Sequence, residues 1–311
     1  MLGSIRRWCM ATALLPALVS LAGAEEPPKS AQPAAKATAE SESPFVRLVR
    51  DDQQEPVALQ TSIIRYVKPQ TDGTKFHVDL IGAVHVGEKS YYERLNKEFT
   101  KYDVVLYELV APEGTKVPKG GGGRSGHPIG AVQDGLKDLL GLEHQLAHVD
   151  YHQANFVHAD MTPEKFADSM EKKKEGMWQM MWRAMGYSVA RQNARDPAGL
   201  QSWALLGAMM SRDGHALKRE MAKQFEDVEN MTGMFEGPDG STILSERNKV
   251  ALEVLQKQIA AGKQKLAVFY GAAHLPDMDA RLHKEFGLER KSVEWLTAWD
   301  LREKPQGAKK N

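Results

Sequence analysis

The chain has a single cysteine, Cys9, in 311 residues. One thiol can build neither a disulfide framework nor a zinc–thiolate cluster. Cys9 also sits in an N-terminal segment expected to be removed, so a cysteine nucleophile is excluded for the mature chain. Excess charge is missing as well: 41 basic residues balance 41 acidic ones. A nucleic-acid or membrane-surface partner therefore has no electrostatic basis here. Beyond the N-terminus no apolar run is long enough to span a bilayer.

The N-terminus itself is informative. Arg6 and Arg7 precede an apolar run over residues 8–21, followed by Ala22-Gly23-Ala24. This is the order of a secretory signal peptide, predicting residues 1–24 as the signal, cleavage after Ala24, and export to the periplasm or the extracellular space. No cysteine comes after that point, so lipidation is not expected. Residues 25–43 are rich in Ala, Pro, Lys, Glu and Ser without an apolar period and read as a disordered linker. Residues 303–311 read as a loose basic tail, leaving 44–302 as one domain.

Within that domain the apolar pattern predicts α/β architecture, borderline α+β, around a mixed sheet. Residues 62–67 and 76–84 are rich in β-branched side chains and read as strands, with Asp72-Gly73 as the turn between them. A helix over 88–100 and a buried strand over 103–109 come next. Near the C-terminus the order recurs: a strand over 266–270, a helix over 277–286 and a strand over 292–299. The two helices share a string, Arg94-Leu95-Asn96-Lys97-Glu98-Phe99 against Arg281-Leu282-His283-Lys284-Glu285-Phe286. Between the two units lies a helical insertion, about 129–240, expected to cap a cleft. It is preceded by a glycine-rich loop, 119–128, which lacks the Gly-Lys-Ser/Thr ending of a phosphate cradle. Helical patterns cover 131–151, 162–235 (with Thr162 as N-cap and Pro163 in the first turn) and 241–262. A short strand is expected at 156–159.

Each strand–helix–strand unit carries Gly-x-x-His at its first strand's end: Gly82-Ala83-Val84-His85 and Gly271-Ala272-Ala273-His274. About one such match is expected by chance in a chain of this length, and Gly141-Leu142-Glu143-His144, with no strand before it, is such a match. The strand-end pair differs because both copies share one context, at the strand termini where α/β sheets gather functional groups. Glu108, ending the strand at Val104-Val105-Leu106-Tyr107, and Arg247, early in the helix over 241–262, complete the candidate set.

The two Gly-x-x-His motifs, Tyr107-Glu108-Leu109 between them, Glu246-Arg247-Asn248 and Tyr270-Gly271-Ala272-Ala273-His274-Leu275 together resemble the TraB/PrgY/GumN family, which includes the TIKI Wnt-cleaving proteases. The similarity spans roughly residues 44–300. The resemblance implies that His85, Glu108, Arg247 and His274 form the active site. It also implies a divalent-metal-dependent hydrolase, most readily a peptidase, with manganese or cobalt as metal and a peptide or protein substrate. The wider clan holds erythromycin esterase-like and ChaN-like proteins, so ancestry does not fix the reaction. On chemical grounds His85, Glu108 and His274 could ligate Mn, Co, Fe or Zn. The metal would acidify a bound water and polarise a carbonyl, with Arg247 stabilising the oxyanion. Asn248 and Asp160 are candidate substrate contacts. Two alternatives stay open: a metal-free esterase-like hydrolase with a histidine base, and a non-catalytic protein binding a peptide, haem or a metal ion.

Two further patterns compete. His144, His148 and His152 are spaced to share a helix face, and His144-Gln145-Leu146-Ala147-His148 resembles a zincin motif with Gln in place of its catalytic Glu. His158-Ala159-Asp160 could line the same cleft, or Asp160 could turn the chain into the next helix. The Met- and Trp-rich stretch with Trp178, Trp182 and Trp203 reads as core or as an adaptable groove.

Overall fold

The computed structural model describes residues 43–112, 114, 115, 117, 140–176, 200–211, 213–225, 232, 236 and 240–302. The expected signal peptide, the linker up to residue 42, the glycine-rich loop 119–128, residues 131–139, Trp178, Trp182 and the tail 303–311 lie outside them.

Strands form where β-branched and aromatic residues cluster: β1 (Val46–Arg50), β2 (Pro56–Val67), β3 (His77–Ala83), β4 (Val86–Gly87), β5 (Val104–Tyr107), β6 (Glu143–His144), β7 (Phe156–His158), β8 (Lys265–Gly271) and β9 (Glu289–Asp300). Every residue of β3 and β5 is buried, as expected of strands covered on both faces. The described residues form a seven-stranded mixed sheet in the order β1-β2-β3-β8-β5-β7, with β9 also on β2. The long β2 carries β1 along its first half and β3 along its second, both antiparallel, and β9 along its opposite edge. The other half, β3-β8-β5-β7, is entirely parallel.

Helices cover both faces. They are α1 (Lys89–Phe99), α2 (Gln145–His148), α3 (Pro163–Lys172), α4 (Leu200–Ser211), α5 (Gly214–Phe225), α6 (Arg247–Ala260) and α7 (Leu275–Phe286). Successive residues of β5 and β8 point to opposite faces, and the core divides accordingly. On one face Tyr91, Leu95 and Phe99 of α1 and Leu217 of α5 pack on Ile81, Val105 and Phe269. On the other, Leu252 and Leu255 of α6 and Met278 and Leu282 of α7 pack on Leu80, Leu106 and Val268. Helix ends obey their local signals. Thr162 accepts the Lys165 N–H at 3.3 Å, and Gly287 closes α7 at φ +62°, a conformation glycine adopts without steric cost.

Both strand–helix–strand units are present, but they are not equivalent. The first crosses through α1 from β3 to β5, with β8 between them. The second leaves β8 through α7 and returns as β9, antiparallel on β2. Two expectations need correction. Residues 141–151 are not one helix: Glu143 and His144 form β6, only 145–148 are helical, and His144 itself is extended. His144, His148 and His152 therefore share no helix face. The pairing of β6 with β4 overrides the helical periodicity. The stretch from 162 is interrupted, since α3 ends at Lys172 and 173–176 are not helical. Strand β1 and the first residues of β2 are strands that the apolar pattern does not predict, because Arg47, Arg50 and Gln60 break up their apolar runs.

The described part of the insertion is split in its packing. Helix α5 lies on the antiparallel half, with Phe225 5.4 Å from Trp299 and Lys218 paired with Glu88. Thr232 instead donates its hydroxyl to Ala273 O at 3.2 Å, beside the second histidine motif. No helix among the described residues is long and apolar enough to cross a membrane.

Phe99 is fully buried between Phe156 and Phe269, at 5.2 and 4.8 Å between ring centroids. Phe99→Ala removes the plug between α1 and the parallel strands. The expected loss is about 3–5 kcal/mol of stability, read as a lower denaturation midpoint with an unchanged denaturant slope.

Candidate functional site

Four neighbouring parallel strands end at one edge of the sheet. In register, Ala83 of β3 faces Gly271 of β8, and Tyr107 of β5 faces Phe269 of β8 and His158 of β7. The next residues of each strand are therefore delivered side by side: His85 after β3, the short 3₁₀ turn Ala272–His274 after β8, Glu108 after β5 and Asp160 after β7. This is the carboxyl edge, where open α/β sheets place their chemistry. It brings His85, Glu108, His274 and Asp160 to one edge.

Arg247 and Asn248 enter the same edge from α6. The helix is preceded by a π-helical turn, Thr242–Glu246, capped by Ser241, whose hydroxyl accepts the Leu244 N–H at 3.2 Å. Such a turn holds one extra residue and shifts the direction in which the next side chains face. Arg247 reaches across two strands. Its Nε and Nη2 donate to the two oxygens of Asp160 at 2.9 and 2.6 Å, and Nη2 also donates to Glu108 Oε1 at 2.7 Å. Only Nη1 is loosely held, 3.4 Å from Ile243 O.

Glu108 is thus bound at both oxygens. Oε1 takes Arg247, and Oε2 accepts the Gly271 N–H at 2.7 Å. Burial alone would raise its pKa. The nearby His274, joined by the charges of Arg247 and His85, outweighs burial and holds the carboxyl far below the ordinary range. Arg247 is held above its ordinary value: burial opposes this, but the bond to Asp160 and the charges of Glu108 and Asp160 prevail.

The histidines are oriented from behind. Asn248 Nδ2 donates to His274 O at 3.1 Å and to Asp277 Oδ2 at 2.8 Å. Those two acceptors fix its amide, so Asn248 Oδ1 faces His274 Nδ1, 2.7 Å away, and that nitrogen carries the proton. His274 Nε2 then faces Glu108 Oε1 at 3.5 Å. His85 is exposed, with Nδ1 3.3 Å from Gln145 Oε1. Gly271 lies between the groups. A Cβ at that position would sit 3.2 Å from Glu108 Oε2, 3.6 Å from His85 Nε2 and 3.7 Å from the His274 ring. Glycine leaves this space open.

The charges do not balance. Glu108 and Asp160 oppose one guanidinium, and the three side chains are nearly buried, at 12, 0 and 10% exposure. One further positive charge is called for. A divalent metal ion would supply it. Among the described residues no group of three or more His, Cys, Asp or Glu is arranged to hold a metal ion. The donor types do fit a divalent ion: two imidazoles with Nδ1 set against amide oxygens, beside a carboxylate, around the open face of Gly271. A metal there would compete with Arg247 and the Gly271 N–H for Glu108.

Of the expected substrate contacts, Asn248 is fully buried behind His274, and Asp160 is spent on Arg247 and the Met161 N–H. Gly271, the glycine of the second Gly-x-x-His motif, matters by having no side chain, and Gln145 stood out in the sequence only as the residue in place of a zincin glutamate. Outside the site, His148 stacks on Tyr92 and lies 3.4 Å from Glu143, while His152 and His158 bond main-chain carbonyls. Trp203 is 69% exposed. Compared with known proteins, the chain matches no family model, no curated protein and no solved structure.

The depressed Glu108 carboxyl makes stability depend on pH. A group of this kind stabilises the fold above its unfolded pKa, near 4.5, and loses that contribution as pH falls toward the folded value. Glu108→Gln is expected to cost about 2 kcal/mol at neutral pH by weakening the charge-assisted bonds that Glu108 accepts from Arg247 and the Gly271 N–H, while Arg247 keeps Asp160. In denaturation from neutral pH into acid, the gap between variant and wild type should stay constant to about pH 5 and narrow below that.

Proposed function

We propose that this chain is an exported hydrolase of the TraB/PrgY/GumN kind, acting on the carbonyl of a peptide, with its reaction centre at the edge formed by His85, Glu108 and His274. The observation that carries the reading is the convergence of two Nδ1-anchored histidines and a pinned, ionised carboxylate on the open face of Gly271. His85 Nε2 and the His274 ring both border the position of a Gly271 Cβ, and His274 Nε2 lies 3.5 Å from Glu108.

In this reading the exposed His85 removes a proton from the attacking water through Nε2. Glu108 holds a fixed negative charge beside His274, which moves the second proton. Arg247 keeps Glu108 in place, and its Nη1 is the donor left to meet a developing oxyanion. His85, Glu108 and His274 are also the residues that would hold a divalent ion, with Mn or Co first by resemblance and Fe or Zn as alternatives. When bound, that ion would supply Lewis acidity and an acidified water. One observation favours a metal-free, esterase-like variant of the same reaction: both Glu108 oxygens already have partners.

The test is metal content and hydrolysis of peptide and ester panels by the chain from Glu25 onward, with and without chelator. His85→Ala/His274→Ala is expected to fold and to lose turnover by about 10²–10⁴-fold. Loss of wild-type turnover on chelation supports the metal form, and chelator-resistant turnover supports the metal-free one. Binding of peptide or metal without turnover would leave the binding-protein reading in place and reject the hydrolase.

Gly271→Ala provides an independent check. Its Cβ would fill the gap 3.2 Å from Glu108 Oε2 without demanding a left-handed backbone. The variant should fold and bind neither metal nor substrate, as read by calorimetry.

A further inference from the structure

We propose that Gln145 is a positioning residue for His85, with Tyr151 as its anchor. The inference rests on the reading of His85 as a functional group. It reassigns the His144-Gln145-Leu146-Ala147-His148 string, whose glutamine had no chemical role as a zincin remnant.

The local backbone is arranged around this contact. Strands β4 and β6 form a two-residue antiparallel ribbon, pairing Val86 with His144 and Gly87 with Glu143. The ribbon is continued by the Gln145 N–H, which donates to His85 O at 2.9 Å. The Tyr92 hydroxyl ties the same two segments, 3.0 Å from Val84 O and 3.4 Å from Glu143 O. Gln145 is therefore placed by main-chain bonds directly beside His85. Its side chain then turns inward, 6% exposed although the imidazole it serves is exposed.

Both ends of that buried amide are used. Oε1 lies 3.3 Å from His85 Nδ1, and Nε2 donates to the Tyr151 hydroxyl at 2.8 Å. Tyr151 is wedged by Tyr107 and Phe156, with ring centroids 5.2 and 5.8 Å away. Its hydroxyl stays protonated: burial raises its pKa, the Gln145 bond lowers it, and nearby Glu108 raises it further. With the amide held in this sense, His85 carries its proton on Nδ1 and presents a bare Nε2 toward Gly271. Were the amide reversed, its NH₂ would face Nδ1 and His85 would carry the proton on Nε2, useless as base or ligand. Tautomer and ring orientation are thus set together by one side chain.

The experiment reads the tautomer directly, by ¹⁵N imidazole spectra of the full chain at mildly alkaline pH, with the His85 signal identified by its loss in His85→Ala. Wild type is expected to show the Nδ1–H form. Gln145→Leu removes the acceptor at similar size and should shift His85 toward Nε2–H, lowering kcat/KM by about 10–100-fold. Gln145→Glu restores an acceptor and should restore the tautomer and most of the activity, which a merely space-filling role would not do. Tyr151→Phe, the milder variant, should give mixed tautomers should Gln145→Leu not fold. An Nε2–H form in wild type, or a tautomer unchanged in Gln145→Leu or in Tyr151→Phe, overturns the proposal. Full activity in His85→Ala overturns the hydrolase reading instead, and the tautomer result still decides what Gln145 does.

Discussion

The guanidinium of Arg247 holds the candidate site together. It bridges Asp160, past the end of β7, and Glu108, past the end of β5, from the first residue of α6. Without it two carboxylates would face each other at a nearly dry sheet edge, and one would have to take up a proton. A buried pair of this kind adds little net stability, because desolvation cancels much of the attraction. Its consequence is positional: Glu108 is ionised and immobile, with Oε2 on the Gly271 N–H. Every other feature of the edge takes its place from that carboxylate, including His274 beside it and the open face of Gly271 above it.

The parallel half of the sheet explains why the residues meet at all. Strands in register deliver their next residues to a common line, so His85, Glu108, His274 and Asp160 need no loop of their own to converge. The two Gly-x-x-His motifs are offset by one position. Gly82 faces Tyr270, and Gly271 faces Ala83. The same four-residue string thus has two outcomes. A Cβ at Gly82 would meet Leu275 and Ala272, whereas one at Gly271 would meet Glu108, His85 and His274. His85 is exposed and His274 buried. The motif supplies residue types, and the register assigns their roles.

That offset marks how far the sequence could be read. Strands with runs such as Val104-Val105-Leu106-Tyr107, helices with Leu95/Phe99 or Leu282 spacing, and the residues at strand ends are local patterns, and they were legible. Strand β1 and the first half of β2 were not, since Arg47, Arg50 and Gln60 interrupt their apolar runs. The helical reading of 141–151 failed because β4 recruits Glu143 and His144 from about 57 residues away, a non-local pairing no window can reveal. Asn248 and Asp160 were found beside Arg247 and after β7, yet their work is to hold His274 and Arg247. Whether a polar residue faces substrate or faces another side chain depends on burial, and composition does not report it. Gln145 had no sequence signal beyond its oddity in a histidine-rich string.

The choice of amides behind both histidines stems from the charge already present. A carboxylate is the common orienting partner of a functional imidazole, and it raises the basicity of the far nitrogen. At this edge Glu108 and Asp160 already exceed Arg247 by one negative charge. A third carboxylate at 248, behind the buried His274, would add to that excess inside a poorly solvated site, and that imidazole would be held as a cation rather than as a base or ligand. Asn248 and Gln145 fix ring orientation and proton position through neutral oxygens. Orientation and charge are thereby set by different residues: the amides decide where each Nε2 points, and Glu108 with Arg247 decides what field it meets. A site built this way orients both rings without adding charge to the edge.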